Sequence, residues 1–349
     1  MFEHLLVRRC IGGAAALLGA LVANLLDLPL PWLMGPMLFV AALRLASAPV
    51  AAYKPFRSMG QWVIGVSLGL YFTFEILGLF GKYWFAICIG MLVPMLISAT
   101  GSFVLKYVGN ADLKTAWFSS AIGGASEMST LAERYDARVD LVASAHCIRI
   151  LAIVILVPFG YQAWGITGGD LSLLSQRPFV IGDMPLLLIT TVLMGFLFKR
   201  YNVPTSWVLG PLFGAAVLSM SGLVETSLPN VVVNAGQLLI GWGLGDNYRP
   251  AFFKAAPRFL LGVAIFTLAS IGIAASAGLV IAYMTDIPLA TVWLGLAPGG
   301  LAEMTITAKV LGLGVPMVTA FQVSRLVFVV MVTGWIYRRY ISKLEPSRD

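Results

Sequence analysis

This chain is short of charge. Only 11% of its 349 residues are Asp, Glu, Lys or Arg, whereas soluble domains carry about 25%. Histidine is scarcer still, with His4 and His146 far apart in sequence. Copper or iron oxygen chemistry needs clustered His and carboxylate ligands, so that class of enzyme is not expected. Cys10, Cys88 and Cys147 lie in or beside apolar segments without metal-ligand spacing, and neither a disulfide nor a zinc site follows from them. Long polar stretches are missing too. The longest are short loops, the C-terminal tail and the region around Ser172 to Asp183, which leaves no room for a soluble catalytic or DNA-reading module. No cofactor, metal or nucleic acid partner is expected.

What fills the chain is hydrocarbon, at 59% of residues. Windows such as Tyr83 to Leu105, Phe259 to Met284 and Val315 to Ile336 each exceed the ~20 apolar residues that cross a bilayer core. The chain therefore reads as an all-α polytopic membrane protein whose main partner is the lipid bilayer. Its net charge of +7 is that of loop lysines and arginines that set orientation. The first 26 residues have the charged and apolar regions of a signal peptide, but Met184 to Lys199 holds the equivalent place later on. A retained first helix is the reading.

The sequence repeats itself. "PWLMGP" matches "TSWVLGP" at a shift of 175, and at a shift of 176 Gly60-Gln61, Gly65, Gly69, Trp117, Gly123-Gly124, Glu127-Met128 and Arg149 all find counterparts, the last at Arg325. Such a constant shift across rare residues marks a tandem duplication, with one repeat over 1–175 and the other over 176–349. Spanning helices are expected near 5–27, 31–48, 59–80, 83–106 and 139–161, and again near 183–199, 204–221, 236–250, 257–284 and 315–337, with Gly-Gly segments at 113–136 and 288–312.

If each Gly-Gly segment is a re-entrant hairpin, each half crosses five times and the halves are inverted. Five crossings place Lys199, Arg200, Arg249, Lys254 and Arg258 on the same side as Arg8 and Arg9, leaving Lys82, Arg177 and Lys309 outside. Six crossings would move the first five across, against the excess of Lys and Arg in cytoplasmic loops. The expectation is about ten transmembrane helices plus two hairpins, in two inverted five-helix repeats, spanning the plasma (inner) membrane with both termini cytoplasmic.

The candidate site is the pair of hairpins: Gly123, Gly124, Ser126 and Glu127 in one, Gly299, Gly300 and Glu303 in the other. The glycines supply freedom for a turn and close approach, and each glutamate falls in the first turn of a half-helix, where the positive dipole end favours its ionised form. Capping alone explains the glutamates; binding of substrate or coupling ion at a central cavity is the sharper reading, since intramembrane ionisable residues are functional candidates by default. Arg149 and Arg325 lie inside apolar helices, with His146 and Gln322 three residues before them, about one turn away. The glutamates are the obvious counter-ions. An arginine pairing with them is structural, and one left to accept an anion is functional. Gly65 and Gly69, with Gly241 and Gly245, have the spacing of close helix packing.

"PWLMGP", "IGGASEM…RYDARVDLVASAHCIRI" and "APGGLAEM…VTAFQVSRLVFVV" resemble the membrane-bound AbrB-type family, whose members carry the same duplication along nearly their full length. Family members carry the labels of gene-expression regulator and of ammonia monooxygenase, neither with a mechanism that transfers to particular residues here. The architecture favours a secondary transporter or permease for a small, anionic metabolite. The alternative is a membrane regulator or sensor that affects expression indirectly, without transport. Homo-oligomerisation stays open.

Overall fold

The computed structural model describes residues 2–168, 177–248 and 257–344. The expected boundary at 175/176 lies outside them, as do Arg249, Lys254 and the end of the 236–250 helix. The described residues hold fourteen α-helices, seven in each half of the chain: α1 (Phe2–Leu25), α2 (Pro31–Leu45), α3 (Lys54–Gly69), α4 (Phe74–Tyr107), α5 (Leu113–Ser120), α6 (Ala125–Arg134), α7 (Val139–Ala163), α8 (Met184–Arg200), α9 (Ser206–Met220), α10 (Asn230–Gly245), α11 (Pro257–Met284), α12 (Leu289–Leu296), α13 (Leu301–Val310) and α14 (Val315–Arg339). Six of these regions are long and apolar enough to cross a membrane. The protein is an all-α polytopic membrane protein.

The backbone repeats with the sequence. Left-handed φ values fall at Asp27 and Asn202, at Leu30 and Thr205 and at Ser47 and Gly222, each pair 175 apart, and at Asp136 and Gly312, 176 apart. Non-glycine residues rarely adopt such φ values, so their recurrence marks turns of the same shape in both halves. The compact units, however, cut across the halves. The first comprises Met1–Lys82, Pro158–Pro250 and Thr305–Pro316, and the second Tyr83–Val157, Ala251–Met304 and Met317–Asp349.

The first unit is a glycine-packed bundle. Its helices α2 and α9 have 15 residues, and α3 and α10 have 16; at 1.5 Å per residue each spans roughly 23 Å, short of a ~30 Å hydrocarbon core. A Cβ on Gly65 or Gly69 of α3 would strike the α9 carbonyls of Val208 or Leu212. One on Gly241 or Gly245 of α10 would strike the α2 carbonyls of Leu33 or Met37. The small-residue spacing thus serves backbone-to-backbone approach between halves.

Helix α3 ends at Gly69 rather than near 80. Leu70, Tyr71 and Phe72 bond back to Val66, Leu68 and Gly69, a tightening that Asp246, Asn247 and Tyr248 repeat after α10 on Trp242, Leu244 and Gly245. Apolar residues continue past Gly69 as the start of α4, which breaks its helical geometry at Tyr83 (φ −108°, ψ 16°). Hydropathy is blind to that turn.

The second unit holds the rest of α4, α5, α6, most of α7, α11, α12, the first turn of α13 and α14. Arg138, just beyond α6, donates its backbone N–H to Thr115 Oγ1 in the first turn of α5 at 3.0 Å. The Gly-Gly segment therefore doubles back on itself. Its arms share a cluster of Trp117, Phe118, Ala121, Met128 and Ala132 with Tyr337, and Phe118 stacks on Tyr135 at 5.6 Å.

Candidate functional site

Each hairpin tip is a helix interrupted by four residues. Ala121 closes α5 by bonding to Trp117 O, and α6 begins again when Met128 bonds to Gly124 O. Ala297 to Trp293 O and Met304 to Gly300 O repeat this in the second hairpin. Between these bonds the chain is extended, with Ala121 at φ −57°, ψ 135° and Gly124 at φ −67°, ψ 144°.

The four tip glycines have no positive φ, so the expected need for turning freedom gives way to a need for space. A Cβ on Gly123 or Gly299 would meet Met128 or Met304, and one on Gly124 or Gly300 would collide with the Glu127 or Glu303 carboxylate. Each glutamate, third residue of its half-helix, therefore folds back over the glycine that caps it. This is the side-chain placement of a capping box.

An interrupted helix leaves carbonyls without intrahelical partners. In the first hairpin, Arg149 Nη1 donates to Ala121 O at 3.0 Å and His146 Nε2 pairs with Phe118 O at 3.0 Å. In the second, Arg325 Nη1 donates to Ala297 O at 2.6 Å and Nη2 to Gly299 O at 2.7 Å. Gln322 Nε2 faces the carbonyls of Leu294, Gly295 and Ala297 at 3.1, 3.0 and 3.2 Å. The arginines thus sit at the negative C-terminal ends of α5 and α12, where a cation is favoured. Both are buried, as are His146, Gln322 and Glu303. The bonds that hold the tips run from the arginines to backbone carbonyls, and Arg149 Nη2 also meets His146 Nδ1 at 3.0 Å. Both Nε atoms and Gln322 Oε1 are buried without a hydrogen-bond partner. The Ser126 side chain lies outside the described residues.

Residues 32–340 match the family model described as Transition state regulatory protein AbrB. The chain belongs to the AbrB family. It is 22% identical over 347 residues to "Uncharacterized protein YhjN" of Bacillus subtilis (strain 168), covering 92% of this chain and 90% of that one. It is 24% identical over 326 residues to "Putative regulator AbrB" of Escherichia coli (strain K12), covering 92% and 93%. Both hairpins and both arginines fall inside the family match.

In this AbrB-family chain, sequence reasoning missed the supports of the first hairpin. Ser120 Oγ pairs with Ser102 Oγ at 2.9 Å and reaches Ser98 O at 2.8 Å, tying α5 to α4. The four-residue spacing of Ser98 and Ser102 in an apolar helix was the available signal. Trp117 Nε1 donates to Thr333 O at 3.2 Å, whereas Trp293 Nε1 donates to Ala275 O at 2.8 Å, so the paired tryptophans have separate partners. Lys309, in the last turn of α13, donates to Ser67 Oγ at 2.8 Å and lies 5.8 Å from the Tyr71 ring centre. Among the described residues no group of three or more His, Cys, Asp or Glu is gathered for a metal.

Proposed function

We propose that the protein is a secondary transporter that binds a small anion at the two hairpin tips. The observation that carries this reading is the repeated clamp: two buried arginines each hold the broken tip of a hairpin and keep Nε unpartnered. Ionisable groups and broken backbone are costly in a hydrocarbon interior and are tolerated where they line a cavity or are buried in protein. The short helices α6 and α13 also start at the tips, adding positive dipole ends. An anion there would offset the buried positive charge of a guanidinium group. The termini in this reading are cytoplasmic and the glutamates carry a coupled proton or cation.

In this reading the chain is not an enzyme. Both ring nitrogens of His146 are engaged, one with Phe118 O and one with Arg149, which leaves no lone pair to ligate a metal. The printed name of the Escherichia coli relative favours a second reading, a regulator that binds the same anion without moving it. Purified protein in proteoliposomes, loaded separately with acetate, succinate, phosphate and sulfate, separates the two. Uptake driven by an ion gradient supports transport. Binding by thermal shift without uptake supports the regulator, and neither would remove the anion site.

A further inference from the structure

The two clamps use matching residues with different bonds. Arg325 spends both terminal nitrogens on the second tip, at Ala297 O and Gly299 O. Arg149 spends only one on the first tip, at Ala121 O, and its Nη2 lies 3.0 Å from His146 Nδ1. Because a guanidinium can only donate, Nδ1 must be the acceptor. The imidazole is therefore neutral with its proton on Nε2, where it donates to Phe118 O. Gln322, at the position equivalent to His146, makes no such bond to Arg325; its nitrogen faces carbonyls.

This difference changes which donors are held by backbone. Nε–H and Nη2 form the side-on edge of a guanidinium, the pair of parallel donors that suits an oxyanion's two oxygens. In Arg325 that edge is closed by Gly299 O. Nε has no partner in either arginine, so the difference lies at Nη2, which in Arg149 meets only the His146 side chain rather than backbone.

We propose that the two arginines have divided their work: Arg325 staples the second hairpin, and Arg149 is the anion-binding residue, taking a carboxylate or similar small oxyanion along its Nε–Nη2 edge. His146 is a positioning residue that keeps Nη2 from closing on the first tip as Arg325 closes on the second. The inference rests on the anion-site reading above.

The test compares wild type, Arg149→Lys, Arg325→Lys and His146→Gln in detergent, by melting temperature alone and with acetate, succinate, phosphate or sulfate. Arg325→Lys should melt well below wild type and retain a shift with the effective anion. Arg149→Lys should lower the melting temperature clearly less than Arg325→Lys does and bind that anion about tenfold or more weakly, the factor expected for one lost charge-assisted hydrogen bond. His146→Gln keeps both arginines and makes the first clamp like the second. It should lose the anion response without losing stability, which a purely structural histidine would not do. Equal melting losses for the two arginine variants, or a normal anion response in His146→Gln, would overturn the division of work. If no anion shifts the wild type, the anion reading itself fails, and Arg149 as anion receptor fails with it; the melting comparison then still decides whether Arg325 alone is the staple.

Discussion

Glycine pairs do different work in the two compact units. In the first, Gly65 and Gly69 of α3 and Gly241 and Gly245 of α10 bring helices together until a carbonyl of the neighbouring backbone occupies the space a side chain would need. In the second, Gly124 and Gly300 give way to the end of a glutamate side chain. Backbone cannot retreat without moving a helix, whereas a carboxylate can rotate. The helix glycines build rigid contact, and the tip glycines build a place where a charged group can shift.

The comparison predicts its largest effect at the helix contacts. Gly65→Ala or Gly241→Ala forces α3 from α9, or α10 from α2, and should destabilise by about 3 kcal/mol or more, at or above the usual range for overpacking. Melting in detergent and monodispersity on size exclusion are the readouts. A variant that melts like wild type would show that the packing is looser than the carbonyl contacts imply.

Gly300→Ala should cost less, about 1 kcal/mol, the typical worth of a helix cap, because only the Glu303 carboxylate must move. The contact itself can be isolated. Against a Glu303→Ala background the same glycine change should be nearly silent, a coupling of about 0.5 kcal/mol or more between touching residues. Additive losses would mean that the glutamate does not rest on the glycine.

Much of this arrangement was open to a reading of sequence. The constant shift picked out Gly-Gly, Glu-Met and Arg because such residues are rare among so much hydrocarbon, and the same shift returns in the paired left-handed turns. The partners of the arginines were not legible, since a backbone carbonyl belongs to every residue and leaves no compositional trace. Ala121 and Ala297 look like any other alanine, yet each accepts a bond from the arginine of its clamp. The end of α3 at Gly69 was hidden for a related reason, because the apolar run continues into α4 and hides the turn between them. The different bonds of His146 and Gln322 were equally hidden, as spacing places a side chain on a helix face without saying which atom accepts.

Smaller effects test whether the hairpin arms are held as firmly as the helices. Trp117→Phe removes the bond to Thr333 O while keeping an aromatic ring in the cluster, and should cost about 1 kcal/mol, the net worth of a hydrogen bond. Asp112 caps α5 by accepting from the Thr115 N–H at 3.2 Å, at the foot of the first hairpin rather than its tip. Asp112→Ala should therefore lower stability by about 0.5–1 kcal/mol while leaving any anion-induced shift unchanged, because the clamp at Ala121 lies at the opposite end of the helix. If the shift shrank along with the melting temperature, the first hairpin would have to be tightened from its base. The tip could then no longer be treated as a locally held site, and the contrast between rigid helix contacts and an adjustable tip would fail at its weakest point.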